Sequence, residues 1–107
     1  MVVIDAEAEI FTLVNVFTVA KGRQDALIDL LSSATDDVIS RQPGFLSASF
    51  HAGDDGRTVI NYAQWERRAD WEAMLTVPTA EAHIAEVQAM IESFQSTPCR
   101  VRVSHAA

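Results

Sequence analysis

An α+β fold, with one antiparallel sheet carrying two helices on a single face, is predicted by three observations in this 107-residue sequence. Two-residue and helical hydrophobic periodicities alternate in the order β, α, β, β, α, β. The two central strands are joined by a turn of glycines and aspartates. No linker, repeat or low-complexity block divides the chain, so residues 1–107 read as a single domain with a core over about 10–104. That order is the ferredoxin-like βαββαβ unit.

The first strand covers roughly 10–19 and puts Leu13, Asn15, Phe17 and Val19 on one face, because alternate residues of an extended chain point the same way. It stops at Lys21-Gly22. From Arg23 to Arg41 the apolar residues Ala26, Leu27, Leu30, Leu31, Ala34, Val38 and Ile39 follow the spacing of an amphipathic helix. Its other face, with Asp25, Asp29, Asp36 and Asp37, reads as solvated. Gln42-Pro43-Gly44 ends that helix, since proline disfavours helical geometry before it and glycine accepts positive φ. Phe45 to Ala52 and Arg57 to Trp65 then form a hairpin about Gly53-Asp54-Asp55-Gly56. Helical pattern resumes from Arg68 to Leu75, breaks near Pro78 and continues from Thr79 to Phe94. Pro98 precedes a last strand, Cys99 to Val103.

Composition narrows the partners. A hydrophobic fraction of 49% with 21% charged residues is ordinary for a globular protein. The net charge of −7 argues against nucleic acid, whose phosphates need a basic surface. Its Lys and Arg residues are scattered, so a basic membrane-binding patch is not expected either. Cys99 is the only cysteine and has no internal disulfide partner. The start, MVVIDAEAEIF, lacks the positive charge of a secretory signal, and no run of about 18 apolar residues exists. The expectation is a cytoplasmic protein.

The segment Thr58 to Trp65, TVINYAQW, is the richest in chemistry. Val59, Asn61, Ala63 and Trp65 look one way, and Ile60, Tyr62 and Gln64 the other. With Asn15 on the first strand, two strands each offer one asparagine among apolar neighbours. Core asparagines satisfied by backbone would explain this; so would an apolar pocket with a few orienting hydrogen bonds. If the helices cover the Tyr62 face, then Leu13, Phe17, Val59 and Trp65 lie on a bare face that needs a partner. A closed two-fold homodimer, sheet against sheet, is the expected solution.

Three segments carry a resemblance to a known family: VNVFTVAKGRQDALIDLL, PGFLSASFHAGDDGRTVINYAQW and the helical AHIAEV. The chain resembles the antibiotic biosynthesis monooxygenases, dimeric α+β barrels, and within them the cofactor-free enzymes that oxidise tricyclic anthrone-type polyketides to quinones. The implied partners are a small aromatic substrate and O2. No metal or flavin is expected, since His51, His83 and His105 show no HxxH spacing and the chain has no CxxC or dinucleotide fingerprint. An anthrone that loses a proton becomes an electron-rich enolate and supplies the electron to O2 itself. The resemblance implies that Asn61 and the Trp65 indole N–H donate to the substrate's carbonyl oxygen, with Phe17, Trp65 and Trp71 stacking on its rings. His83 is the expected proton handler, because imidazole exchanges protons near neutral pH. Asn15 and His51 complete the substrate-binding set.

The chain departs from that pattern at Trp71, where some relatives carry a phenol. It also lacks an arginine that some carry on the second helix, His83 being the nearest group. Asn15 with Glu81-Ala82-His83 is similar to haem-degrading barrels as well, although Met74 stands where those have a tryptophan. A non-catalytic barrel that binds an aromatic metabolite is the third reading. The leading one requires a dry hollow between the sheet and its helices, lined by Asn61 and Trp65.

Overall fold

A computed structural model describes residues 1–107 as β1 (Phe11–Thr18), α1 (Gln24–Asp37), a 3-10 turn (Ile39–Arg41), β2 (Phe45–Ala52), β3 (Thr58–Trp65), α2 (Arg68–Leu75), α3 (Pro78–Met90) and β4 (Ser93–Arg100). The four strands form one antiparallel sheet in the order β2-β3-β1-β4. This is the predicted ferredoxin-like arrangement. No helix is long and apolar enough to cross a membrane.

Several boundaries differ from expectation, among them the end of the last strand, at Arg100 instead of Val103. The first helix ends at Asp37 and tightens into a 3-10 turn instead of running to Arg41. α3 stops at Met90, and the last strand starts at Ser93, six residues before the predicted Cys99. Phe94 continues the helical spacing of Ile84, Val87 and Ile91, yet it belongs to β4, where it pairs with Phe17. Pro98 lies inside β4, not before it; an edge strand tolerates the missing N–H.

The bare-face assignment is overturned. The helices cover the Leu13 side of the sheet: Phe17, Val19, Val59, Leu27 of α1 and Val87 of α3 form one core cluster, and Trp65, Met74 of α2 and Ala80 of α3 form a second. Leu27, Val19 and Val59 are wholly buried, each such side chain stabilising the fold by about 1.5–3 kcal/mol. Tyr62, expected under the helices, is on the open side with Val14, Val16 and Ile60, all half-buried. Size and indole content decide the matter, because Leu13, Phe17 and Trp65 offer more apolar area than Thr12, Val14 and Gln64 and draw the helices.

The N-terminal segment meets the open side of the sheet at Gln64. Gln64 Nε2 donates to the Val3 carbonyl at 2.8 Å, while Ser47 Oγ donates to Gln64 Oε1 at 2.7 Å. Opposite Trp65, β2 carries a bulge at Leu46, which is left exposed. The β2–β3 turn is fixed by Asp55, whose carboxylate accepts from Thr58 Oγ1 at 2.6 Å and from the backbone N–H groups of Arg57 and Thr58 at 2.8 and 2.9 Å. The Thr58 hydroxyl, followed by those N–H groups, holds its carboxyl below the usual carboxylate range. Gln24, at the start of α1, donates to the Gly53 and Thr58 carbonyls and so ties the helix to the same turn.

Candidate functional site: an apolar hollow between sheet and helices

A cavity of about 420 Å³ separates the sheet from the helices. Seventeen of its 24 lining residues are hydrophobic, and members of both core clusters contribute to its wall. Sealed and empty, such a volume would cost on the order of 10 kcal/mol, as much as the whole stability of a small domain. It opens instead to solvent, with exposed Leu75, Gln88, Phe94 and Pro98 on its rim. A volume in this range suits a small-molecule site.

The strand register builds the floor. Asn15 and Asn61 are cross-strand neighbours on adjacent strands and point into the cavity together. Asn15 is 8% exposed, and Oδ1 of each amide is buried without a hydrogen-bond partner. The helices supply the roof. On α3 His83 presents a buried Nδ1 that also has no partner. Buried polar atoms are nearly always paired, so three orphans converging on one cavity mark it as built for a polar occupant. An amide offers an acceptor and two donors, and a half-turn about its last torsion exchanges them.

Aromatic rings close the ends. Trp65 is 1% exposed, with its ring perpendicular to that of Phe45 and the centroids 5.4 Å apart. Trp71 on α2 stacks on Phe11 at 5.5 Å, with the Arg68 guanidinium 5.9 Å above its ring. Phe17 stacks on Phe94 at 5.0 Å at the other end. All of these except Phe11 and Arg68 line the cavity. No three His, Cys, Asp or Glu side chains anywhere converge as a metal site would need, and neither Lys nor Arg is among the lining residues.

Of the seven residues expected in the site, Asn15, Phe17, Asn61, Trp65, Trp71 and His83 line this one cavity. His51 does not. It pairs with Ile60 on the open face and is exposed, because the alternation that turns Phe50 inward turns His51 outward. Phe94 and Ser96 were missed, both carried by a β4 that begins earlier than the sequence pattern implied. Phe50 was legible from its alternation with Ala48, which also lines the cavity.

Comparison with known proteins identifies the family. The family model for antibiotic biosynthesis monooxygenase matches residues 10–86. Tetracenomycin-F1 monooxygenase of Streptomyces glaucescens is 47% identical over 83 residues, covering 78% of this chain and 74% of that protein. Among solved structures, the monooxygenase from the gene ActVA-Orf6 of Streptomyces coelicolor, in complex with nanaomycin D, is similar with a TM-score of 0.79 at 27% identity, covering 91% of each chain. SnoaB, a cofactor-independent oxygenase from Streptomyces nogalater, shares the fold with a TM-score of 0.80 at 21% identity, over 89% of this chain and 95% of that one. The chain belongs to the antibiotic biosynthesis monooxygenase family and is a monooxygenase.

Proposed function

We propose that this enzyme oxidises a fused-ring anthrone or quinol of polyketide type to a quinone, with O2 as oxidant and neither metal nor flavin. The observation that carries the reading is the meeting of three unpartnered polar atoms, Asn15 Oδ1, Asn61 Oδ1 and His83 Nδ1, in a hollow walled mainly by aliphatic and aromatic side chains. The relative's name, tetracenomycin-F1 monooxygenase, and the nanaomycin D complex of the Streptomyces coelicolor enzyme support the substrate class. The description of SnoaB as cofactor-independent supports the absence of a cofactor.

The chemistry asks for four things. The ring methylene must lose a proton, and His83 is the titratable side chain in the cavity able to take it. The charge then develops on the carbonyl oxygen, where the Asn61 amide and the Trp65 indole N–H donate to it. One electron passes from this enolate to O2, and the resulting radical and superoxide combine through a new carbon–oxygen bond. For an anthrone, loss of water from the hydroperoxide leaves the second carbonyl, so one oxygen atom enters the quinone and the other leaves as water. A hydroquinone, already carrying both oxygens, would instead give two electrons and two protons to O2 and release H2O2. The apolar walls keep solvent from competing for the charge, and Phe17, Trp65 and Trp71 hold the rings flat.

An oxygen electrode with a panel of anthrones and hydroquinones tests this. One O2 should be consumed per quinone formed, at a rate unaffected by chelators. Binding without any uptake would leave a metabolite-binding barrel instead. The haem reading has less support, since the cavity wall offers no Lys or Arg for propionates.

The functional unit we propose is a homodimer formed through the open sheet face, where Val14, Val16, Ile60 and Tyr62 are half-buried. Sedimentation at micromolar concentration should give a dimer. Val16→Asp should shift it to monomer by placing a charge at the centre of that face; a monomeric wild type would contradict the assembly.

A further inference from the structure

Residues 1–9 form an arm that meets the open sheet face at one end. A single hydrogen bond, from Gln64 Nε2 to the Val3 carbonyl, joins the arm to the rest of the chain. A cavity of about 210 Å³ opens between Asp5, Ala6 and Glu9 of the arm and Arg100 and Arg102 at the end of β4, so the arm is loosely seated. Val2, Val3 and Ile4 are exposed by 40%, 60% and 49%, and Leu46, at the β2 bulge beside Ser47, by 43%. Thr12, the register neighbour of Gln64 on β1, is 2% exposed with Oγ1 buried and unpartnered. Three consecutive apolar side chains in water and an unpaired buried hydroxyl at the same end of the sheet cost free energy that repacking against another surface would recover.

The apolar strip continues beyond the arm. In register the Gln64–Thr12 row is followed by Tyr62–Val14 and Ile60–Val16, the centre of the interface proposed above. Four strands of 8 residues each, at about 3.3 Å per residue and about 4.8 Å between strands, offer a flat patch of roughly 500 Å². A stable association buries about 800 Å² per partner. The sheet face alone falls short of that, and the arm with Leu46 enlarges it at its Gln64 end. We propose that the arm is an interface element: in the homodimer Val2, Val3 and Ile4 pack, together with Leu46, against a second copy of this chain. The inference rests on the assembly proposed above and extends it beyond the sheet. A second copy fits because two-fold symmetry uses the strip twice, each copy's arm being covered by the other. None of these side chains is charged, as the buried centre of an interface requires.

Sedimentation over a dilution series tests this on the intact chain. Val3→Asp and Ile4→Asp should each raise the dimer Kd at least about tenfold, because each replaces a buried contact by a carboxylate. Val3→Leu, which keeps the apolar surface, should leave Kd within about threefold. Ala85→Asp, an equally exposed change on α3, should leave it unaltered. In the monomer the arm residues are exposed, so Ile4→Asp should have the wild-type Tm at concentrations below Kd and a lower one above it. If Val16→Asp dissociates the dimer while both arm variants keep the wild-type Kd, the sheet interface stands and the arm assignment is overturned. A monomeric wild type would remove both. A lower Tm for Ile4→Asp at every concentration, with Kd unchanged, would make the arm a structural element of one copy and would also overturn the proposal.

Discussion

Asn61→Ala should lower kcat by roughly tenfold to a thousandfold, the range for losing one donor to a developing oxyanion, while the protein remains at least as stable as wild type. The combination is what distinguishes a site amide from a structural one. Asn61 Oδ1 is buried with no partner within the protein, so truncation removes a desolvation cost and no internal hydrogen bond. A core asparagine satisfied by backbone would give the reverse, a loss of stability with little change in turnover. Trp65→Phe should reduce kcat over the same range by deleting the indole N–H, but with some loss of stability, because Trp65 is packed against Phe45, Met74 and Ala80. Asp29→Ala, on the exposed face of α1, should change neither quantity. Steady-state oxygen uptake and thermal melts on the same preparations separate these outcomes. A wild-type turnover in Trp65→Phe would reassign that residue to packing.

The alternation of β1 and β3 was legible because it is a property of single strands. Once Asn61 and Trp65 are two and six residues from Val59 in extended chain, they share its face whatever lies above. Which face the helices take is a property of the whole domain, and here sequence reasoning chose wrongly. Both faces carry apolar residues, Val14, Val16 and Ile60 on one and Leu13, Phe17 and Val59 on the other. The choice rests on summed area and on the N-terminal segment, whose Val3 carbonyl takes the Gln64 amide and covers part of the open side. β4 was obscured for a local reason. Its sequence, SFQSTPCR, is polar and contains proline, which reads as a loop unless the strand lies at a sheet edge. Ser96 was therefore invisible as a cavity residue until the register set it beside Asn15.

Gly44→Ala should be the most damaging single-methyl change in the chain, and the reason combines backbone and packing. Gly44 has φ +83°, a left-handed conformation that costs an alanine about 1–2 kcal/mol. A methyl there would also run into the carboxylate of Asp70 and come within 2.6 Å of its Cβ. The carboxylate could swing aside, but the Cβ is fixed to the backbone of α2, so the helix itself has to move. Such overpacking adds about 1–3 kcal/mol. Gly22 is the internal control: it has φ +90° and nothing within 4 Å of the added methyl. At fixed protein concentration Gly22→Ala should lower Tm by about 5–10 °C and Gly44→Ala by about twice that or more. Equal shifts would mean that α2 yields without cost. The displacement also has a functional consequence, because α2 carries Trp71, Met74 and Leu75 on the cavity wall. Turnover in Gly44→Ala should fall even well below its melting temperature, whereas Gly22→Ala, at the opposite end of β1 from Trp65, should keep wild-type kcat.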